Sequence, residues 1–348
     1  MKKLKYLSVL SLPLTVHIAL TSTGVLTFLP VLFFFGFVPL LELMLKPDNE
    51  NLETRERELV ANDKTYDWLI YLMLPVQIFF LVYFLSAIGE EGLTSMDMTG
   101  RIMAMGLMCG VFGINLGHEL GHRSNRTEQF LGEILLLTSL ENHFLPYHNY
   151  CHHKHVATPH DPATARKGEA VYFFWLRSQV GSYALAWQIE CQRLKAKNKT
   201  PFSFNNRMVG YTLAQIGLIG SIFYYFGWPV TLAFLAAATM GILLLETVNY
   251  IEHYGLLRKK TPTGDFERVQ HKHSWNSDHI VGRILLFELS RHSDHHYRSN
   301  KKYPTLDSMP QSPQMPTGYP GMMVFSMFTP LFFWYMHKKL EQMEKQLA

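Results

Sequence analysis

Long apolar runs separated by short charged or turn-forming stretches constrain this chain most. Residues 6–21, 25–45, 67–88, 101–122, 208–226 and 228–250 each approach the length that crosses a bilayer as a helix. In hydrocarbon every backbone N–H and C=O must be satisfied within the segment, and a helix does that. An all-α membrane protein with six transmembrane helices is therefore expected. The mean hydropathy of +0.01 conceals this, because the runs are averaged with a polar, histidine-rich remainder. Lys2, Lys3 and Lys5 ahead of an apolar run would also suit a signal peptide. No small-residue cleavage site follows, and the next apolar run begins at once, so a helical hairpin turning near 21–24 is expected instead.

Basic residues set the orientation. They occupy the N-terminus and the 46–64 loop, whereas the 89–100 loop carries Glu90, Glu91 and Asp97 and no lysine or arginine. The N-terminus is then cytoplasmic, and the spans ending near 122 and 250 both return to that side. Residues 118–207 and 251–348 become a cytoplasmic, His-rich catalytic region within a single integral-membrane domain, 1–348. The apolar stretch 130–140 is too short to span and is expected to be interfacial or re-entrant. Residues 321–335 are expected to dock on the domain or lie in the interface. Cys109, Cys151 and Cys191 are too few for a disulfide framework and point to a reducing compartment. The net charge of +4 suits an anionic membrane surface or an acidic protein partner; no nucleic-acid role is expected.

Nine histidines carry the chemistry: His118, His122, His148, His152, His153, His253, His292, His295 and His296. All fall on the cytoplasmic side under a topology derived without them. Imidazole suits iron, zinc, copper and nickel. Nine rings are too many for one ion and suit two, with di-iron the foremost expectation. His118 and His122 are i and i+4, about 40° apart on a helix, and can share one ion. His148 and His152 repeat that spacing, while His153 stands about 140° from His148 and should point elsewhere. His292, His295 and His296 fall within an arc of about 100° and can face one cavity. Ligating histidines need acceptors for their other ring nitrogen; Glu119, Glu141, Asp161, Glu252 and Asp294 are the candidates. His17, His143 and His337 read as ordinary interfacial residues, and His155, His160, His271, His273 and His279 as surface or supporting groups. His118-Glu119-Leu120-Gly121-His122 is also a literal HExxH, the pattern of a zinc protease with glutamate as base. That reading would leave seven of the nine histidines unexplained.

The same residues resemble a known family. Asn115-Leu-Gly-His-Glu-Leu-Gly-His122, His148-Asn149 with His152-His153, Val156-Ala-Thr-Pro159 with Asp161-Pro162-Ala163, Asn249-Tyr-Ile-Glu-His-Tyr-Gly-Leu256, His273-Ser-Trp-Asn-Ser277 and Arg291-His-Ser-Asp-His-His296 are similar to the integral-membrane alkane 1-monooxygenases of the fatty acid desaturase-like superfamily. The Asn249–Leu256 and His273–Ser277 stretches are the more specific; the histidine boxes belong to the wider superfamily. The resemblance runs from about residue 10 to 310. It implies two non-haem iron ions with all-histidine ligands in a bacterial-type inner membrane. It also implies O2-dependent terminal hydroxylation of n-alkanes entering from membrane lipid, with electrons from rubredoxin and rubredoxin reductase. No CxxC pair is present, so the carrier would be a separate protein. Tyr147 and His160 stand where the family usually has Glu, and Cys151 where it has Gly; none is a ligand position. The rivals are a fatty acyl desaturase or another lipid or hydrocarbon hydroxylase of the same superfamily, and, from another class, a metal transporter. A transporter would place its ligands within the spans.

Overall fold

The structure, a computed structural model, describes residues 2–347. Among the described residues no strand forms; two isolated bridges, Lys260 with Phe266 and Asn276 with Gln314, are the extent of β-pairing. Five helices among the described residues are long and apolar enough to cross a membrane: Lys3–Thr21, Gly24–Met44, Thr65–Ala87, Ser95–Gly121 and Arg207–His253. The last has 47 residues and departs from helical geometry at Gly227, whose φ of 79° favours glycine. That break falls between the two spans expected at 208–226 and 228–250.

The chain divides into two compact units that interleave along the sequence. The first comprises Met1–Gly36, Asp63–Asn149 and Tyr183–Leu245; the second comprises Phe37–Asn62, Tyr150–Ser182 and Glu246–Ala348.

Within the first unit, Ser95–Gly121 is the central helix. Its most apolar window is 83% buried, against 22% for Gly24–Met44, so the latter presents its side chains outward, as a lipid-facing helix does. Thr94 caps the central helix: its hydroxyl accepts from the Asp97 N–H, and the Asp97 carboxylate accepts from the Thr94 N–H. Small residues then admit close neighbours. A Cβ on Gly241 would lie 2.6 Å from that of Cys109, and one on Gly132 would lie 2.9 Å from the Gly117 carbonyl oxygen. The second of these approaches seats helix Arg126–Leu137, the stretch expected to be interfacial or re-entrant, directly against the turn that carries His118.

A 25-residue helix, Val171–Lys195, occupies part of the region read from sequence as a polar cytoplasmic segment. Its Glu190 is buried and accepts from Arg193 and Arg207, each at 2.7 Å. Burial alone would raise the carboxyl, but the arginine hydrogen bonds outweigh it and carry Glu190 from 4.5 down to about 2. A carboxylate depressed on folding adds stability above its unfolded pKa, and that stability is lost as pH falls through the folded value. Glu190→Gln is accordingly expected to cost on the order of 2 kcal/mol at pH 7. It should also flatten the acid destabilisation between about pH 4.5 and 2, read as thermal midpoint against pH in detergent.

In the second unit, buried arginines organise the polar segments. Arg283 pairs with Asp48 and Glu288 at 2.8 and 2.9 Å. Arg291, next to His292, donates to the carbonyls of Leu306 and Glu50. Residues 321–335, expected to dock or lie in the interface, belong to two helices, Tyr319–Met327 and Thr329–Leu347, that pack on each other.

Candidate metal centre

The first unit brings three of the nine histidines together. His118 lies on the last turn of Ser95–Gly121 and His122 at its C-cap, so one helix end presents both. Their Nε2 atoms are 3.0 Å apart, and His148 Nε2 is 3.1 Å from His122 Nε2. Phe144 stacks on His148 at 4.4 Å between ring centroids and meets His118 edge-on at 5.7 Å. It belongs to an apolar cluster with Ile114, Leu136 and Leu145, partly covered by Ile242 and Leu245. Hydrocarbon side chains therefore border the imidazoles and keep water from that side.

The second unit holds His152, His253, His292 and His296, all buried. One ligand nitrogen from each lies within 4.8 Å of every other. His292 Nε2 is 3.3 Å from His253 Nε2, and the His296 ring centroid is 4.4 Å from that of His292 and 4.8 Å from that of His152. Four converging, buried imidazoles are the donor set a metal ion needs. Neither ring nitrogen of His296 has a hydrogen-bond partner. A buried polar atom left without a partner is costly, and an ion at the centre of the group removes that cost. Burial first, and the neighbouring histidines second, push the pKa of His296 well below its usual value. The ring is therefore neutral at pH 7, the form that binds metal. His153 and His295 form a further close pair with centroids 4.9 Å apart, and burial pushes His295 down to about 3.

One spacing expectation gives way here. His148 and His152, i and i+4, do not serve one group: His148 meets His118 and His122, and His152 meets His253 and His296. His292, His295 and His296 do keep together on the short helix His292–Tyr297: the first and last belong to the four-histidine group, and His295 meets His153, which also lies 4.6 Å from His296 between centroids.

Of the five carboxylates, Asp161 places Oδ2 3.0 Å from His152 Nδ1, and Glu252 places Oε2 3.2 Å from His292 Nε2. Glu141 lies 3.3 Å from His143 Nε2. Asp294 accepts from Lys301 and from the Asp307 N–H. Glu119 accepts from Arg123 at 2.8 Å, and the same guanidinium donates to buried Asp67 at 2.9 Å. A carboxylate held in that network is poorly placed to serve as the base of a zinc protease.

The His273–Ser277 stretch clasps the end of helix Arg207–His253. The Trp275 N–H donates to the Glu252 carbonyl and its indole Nε1–H to the Tyr254 carbonyl. From the other side the Tyr250 hydroxyl donates to the Glu169 carbonyl, and the Gly168 N–H donates to the Tyr254 hydroxyl. His253 is thus fixed by backbone held on two sides. Tyr319, whose hydroxyl donates to Glu252 Oε1 at 2.7 Å, has no sequence signal; it sits in a proline-rich stretch that reads as a loop.

A family model described as fatty acid desaturase matches residues 98–326. The curated alkane 1-monooxygenase 1 of Alcanivorax borkumensis is 36% identical over 306 residues, 88% of this chain and 75% of its own. The alkane 1-monooxygenase of Ectopseudomonas oleovorans is 35% identical over 338 residues, 95% of this chain and 84% of its own. The xylene/toluene monooxygenase hydroxylase component of Pseudomonas putida is more distant, 27% identical over 267 residues, 76% of this chain and 70% of its own.

Proposed function

The chain belongs to the alkane 1-monooxygenases within the fatty acid desaturase family, and on that premise we propose that it hydroxylates the terminal carbon of n-alkanes at a histidine-ligated di-iron centre. His152, His253, His292 and His296 would hold one iron, and His118, His122 and His148 would serve the second. Bound there, iron supplies O2 activation and oxidation of an unactivated C–H bond, a reaction that also consumes two electrons and two protons. The carrying observation is the buried four-histidine group with the unpartnered ring nitrogens of His296.

The protein's own residues supply the setting. Asp161 fixes the His152 tautomer by accepting its Nδ1–H, which turns Nε2 toward the metal. Phe144 and its apolar neighbours exclude water beside His118 and His148 and offer a hydrocarbon chain a surface of its own polarity. Rubredoxin, reduced by its reductase, is the proposed electron donor. The distribution of lysine and arginine favours a bacterial inner membrane with both termini and the metal centre on the cytoplasmic face.

The test is product analysis under labelled O2. The chain is expressed with a rubredoxin and its reductase and fed a series of n-alkanes together with a fatty acid. Labelled 1-alkanols are expected. Unsaturated products without label would move the protein to desaturation, with a different fate for the same oxidised carbon.

A further inference from the structure

We propose that the segment joining helix Val171–Lys195 to the span that begins at Arg207 is an anchor for anionic lipid. Its lysines hold phosphate headgroups while Phe202 and Phe204 enter the bilayer boundary. The proposal goes beyond the reaction and does not depend on the metal reading.

Composition sets the charge. Residues 191–226 hold Arg193, Lys195, Lys197, Lys199 and Arg207 and no aspartate or glutamate. Buried Glu190 pairs with both arginines. Lys195, Lys197 and Lys199, all exposed, are left as the net charge of the segment.

The backbone that carries them is held. The Lys197 and Lys199 N–H groups both donate to the Leu194 carbonyl, at 3.0 and 2.9 Å, with Asn198 at a φ of 54° between them. Arg193 Nη2 donates to the Asn205 carbonyl and Asn206 Nδ2 to the Pro201 carbonyl, each at 2.8 Å. A segment tied in this way keeps its rings outward: Phe202 is 76% and Phe204 88% exposed. Two phenyl rings fixed in water are unfavourable, and an apolar surface beside them removes that cost.

Position names the surface. Met208 opens the apolar run, and Phe204 precedes it by four residues. Chain length alone keeps that ring's backbone within about 14 Å of the end of the run. The helix that follows exposes Leu213, Ile216 and Phe223, so it faces lipid on that side. Phenyl rings at such a boundary with lysines around them are the two halves of an interfacial anchor, whose binding grows with buried apolar area and with attraction to anionic lipid. Each lysine near an anionic surface contributes about fivefold. A soluble acidic partner would answer the lysines but would leave the rings unmatched.

The experiment places a fluorophore sensitive to polarity on Phe204→Cys in a Cys191→Ser background, Cys109 and Cys151 being buried. The full-length protein is studied in nanodiscs that contain spin-labelled phosphatidylglycerol or spin-labelled phosphatidylcholine. Blue-shifted emission is expected, with quenching by phosphatidylglycerol at least about fivefold more effective, the contribution of one lysine. Lys195→Gln, Lys197→Gln and Lys199→Gln combined should bring the two lipids to parity, and salt raised to about 0.5 M should lower the preference of the unsubstituted loop. An unchanged thermal midpoint in the combined variant separates a lost contact from a lost fold. Emission typical of water, with no quenching by either lipid, would overturn the proposal in favour of a segment that faces solvent or a protein. Equal quenching by the two lipids with all three lysines present would overturn the anionic selectivity.

Discussion

His253→Ala is expected to lower alkane hydroxylation by roughly three orders of magnitude or more, the several kcal/mol that a metal centre contributes to the barrier. Bound iron should fall from about two ions per chain to about one. His253 is fully buried, its Nε2 meets that of His292 at 3.3 Å, and its ring centroid is 4.9 Å from that of His152 and 5.1 Å from that of His296. An alanine there removes one donor of four without touching the apolar faces of the spanning helices. Yield in the membrane should therefore match wild type. Product formation and iron analysis on one preparation decide the matter: near-normal turnover would remove His253 from the ligand set.

Asp161→Ala is expected to have the second largest effect, a loss of about 10–100-fold in iron affinity at one site, with a matching loss of activity at limiting iron. The Asp161 carboxylate is buried and accepts from three donors: His152 Nδ1–H, the Thr164 hydroxyl and the Ala163 N–H. Removing it leaves His152 free to take the other tautomer or rotate, and leaves buried donors unsatisfied, a further cost of about 1–3 kcal/mol. Asp161→Asn keeps an acceptor oxygen and should fall between. Titration of iron into the stripped variants gives the order; equal affinity in all three would show that His152 needs no such partner.

Much of this arrangement was legible in the sequence because the signals are long or chemically rare. Apolar runs of bilayer length have few other uses, and buried imidazoles in clusters have fewer. What sequence spacing could not supply was which distant ring each histidine meets. The i, i+4 rule pairs His148 with His152, yet His148 meets His118 and His122 while His152 joins His253, His292 and His296. Helix Val171–Lys195 went unread because Arg177, Gln179, Glu190 and Arg193 interrupt its apolar residues, and a search for bilayer spans passes over such a segment. Tyr319 was invisible for another reason: its contact with Glu252 joins residues that no short-range pattern relates.

The interleaving of the two units has a consequence for how the protein is made. The four-histidine group takes its rings from positions 152, 253, 292 and 296, so it cannot form until residue 296 has left the ribosome. At about 5–20 residues per second, His152 waits many seconds for its last partner. During that interval its neighbours are already in the membrane and the donors lie exposed to whatever metal is at hand. Iron insertion is therefore a late event in biogenesis, and cells short of iron should accumulate a membrane-inserted, empty chain that is the natural substrate of quality-control proteases.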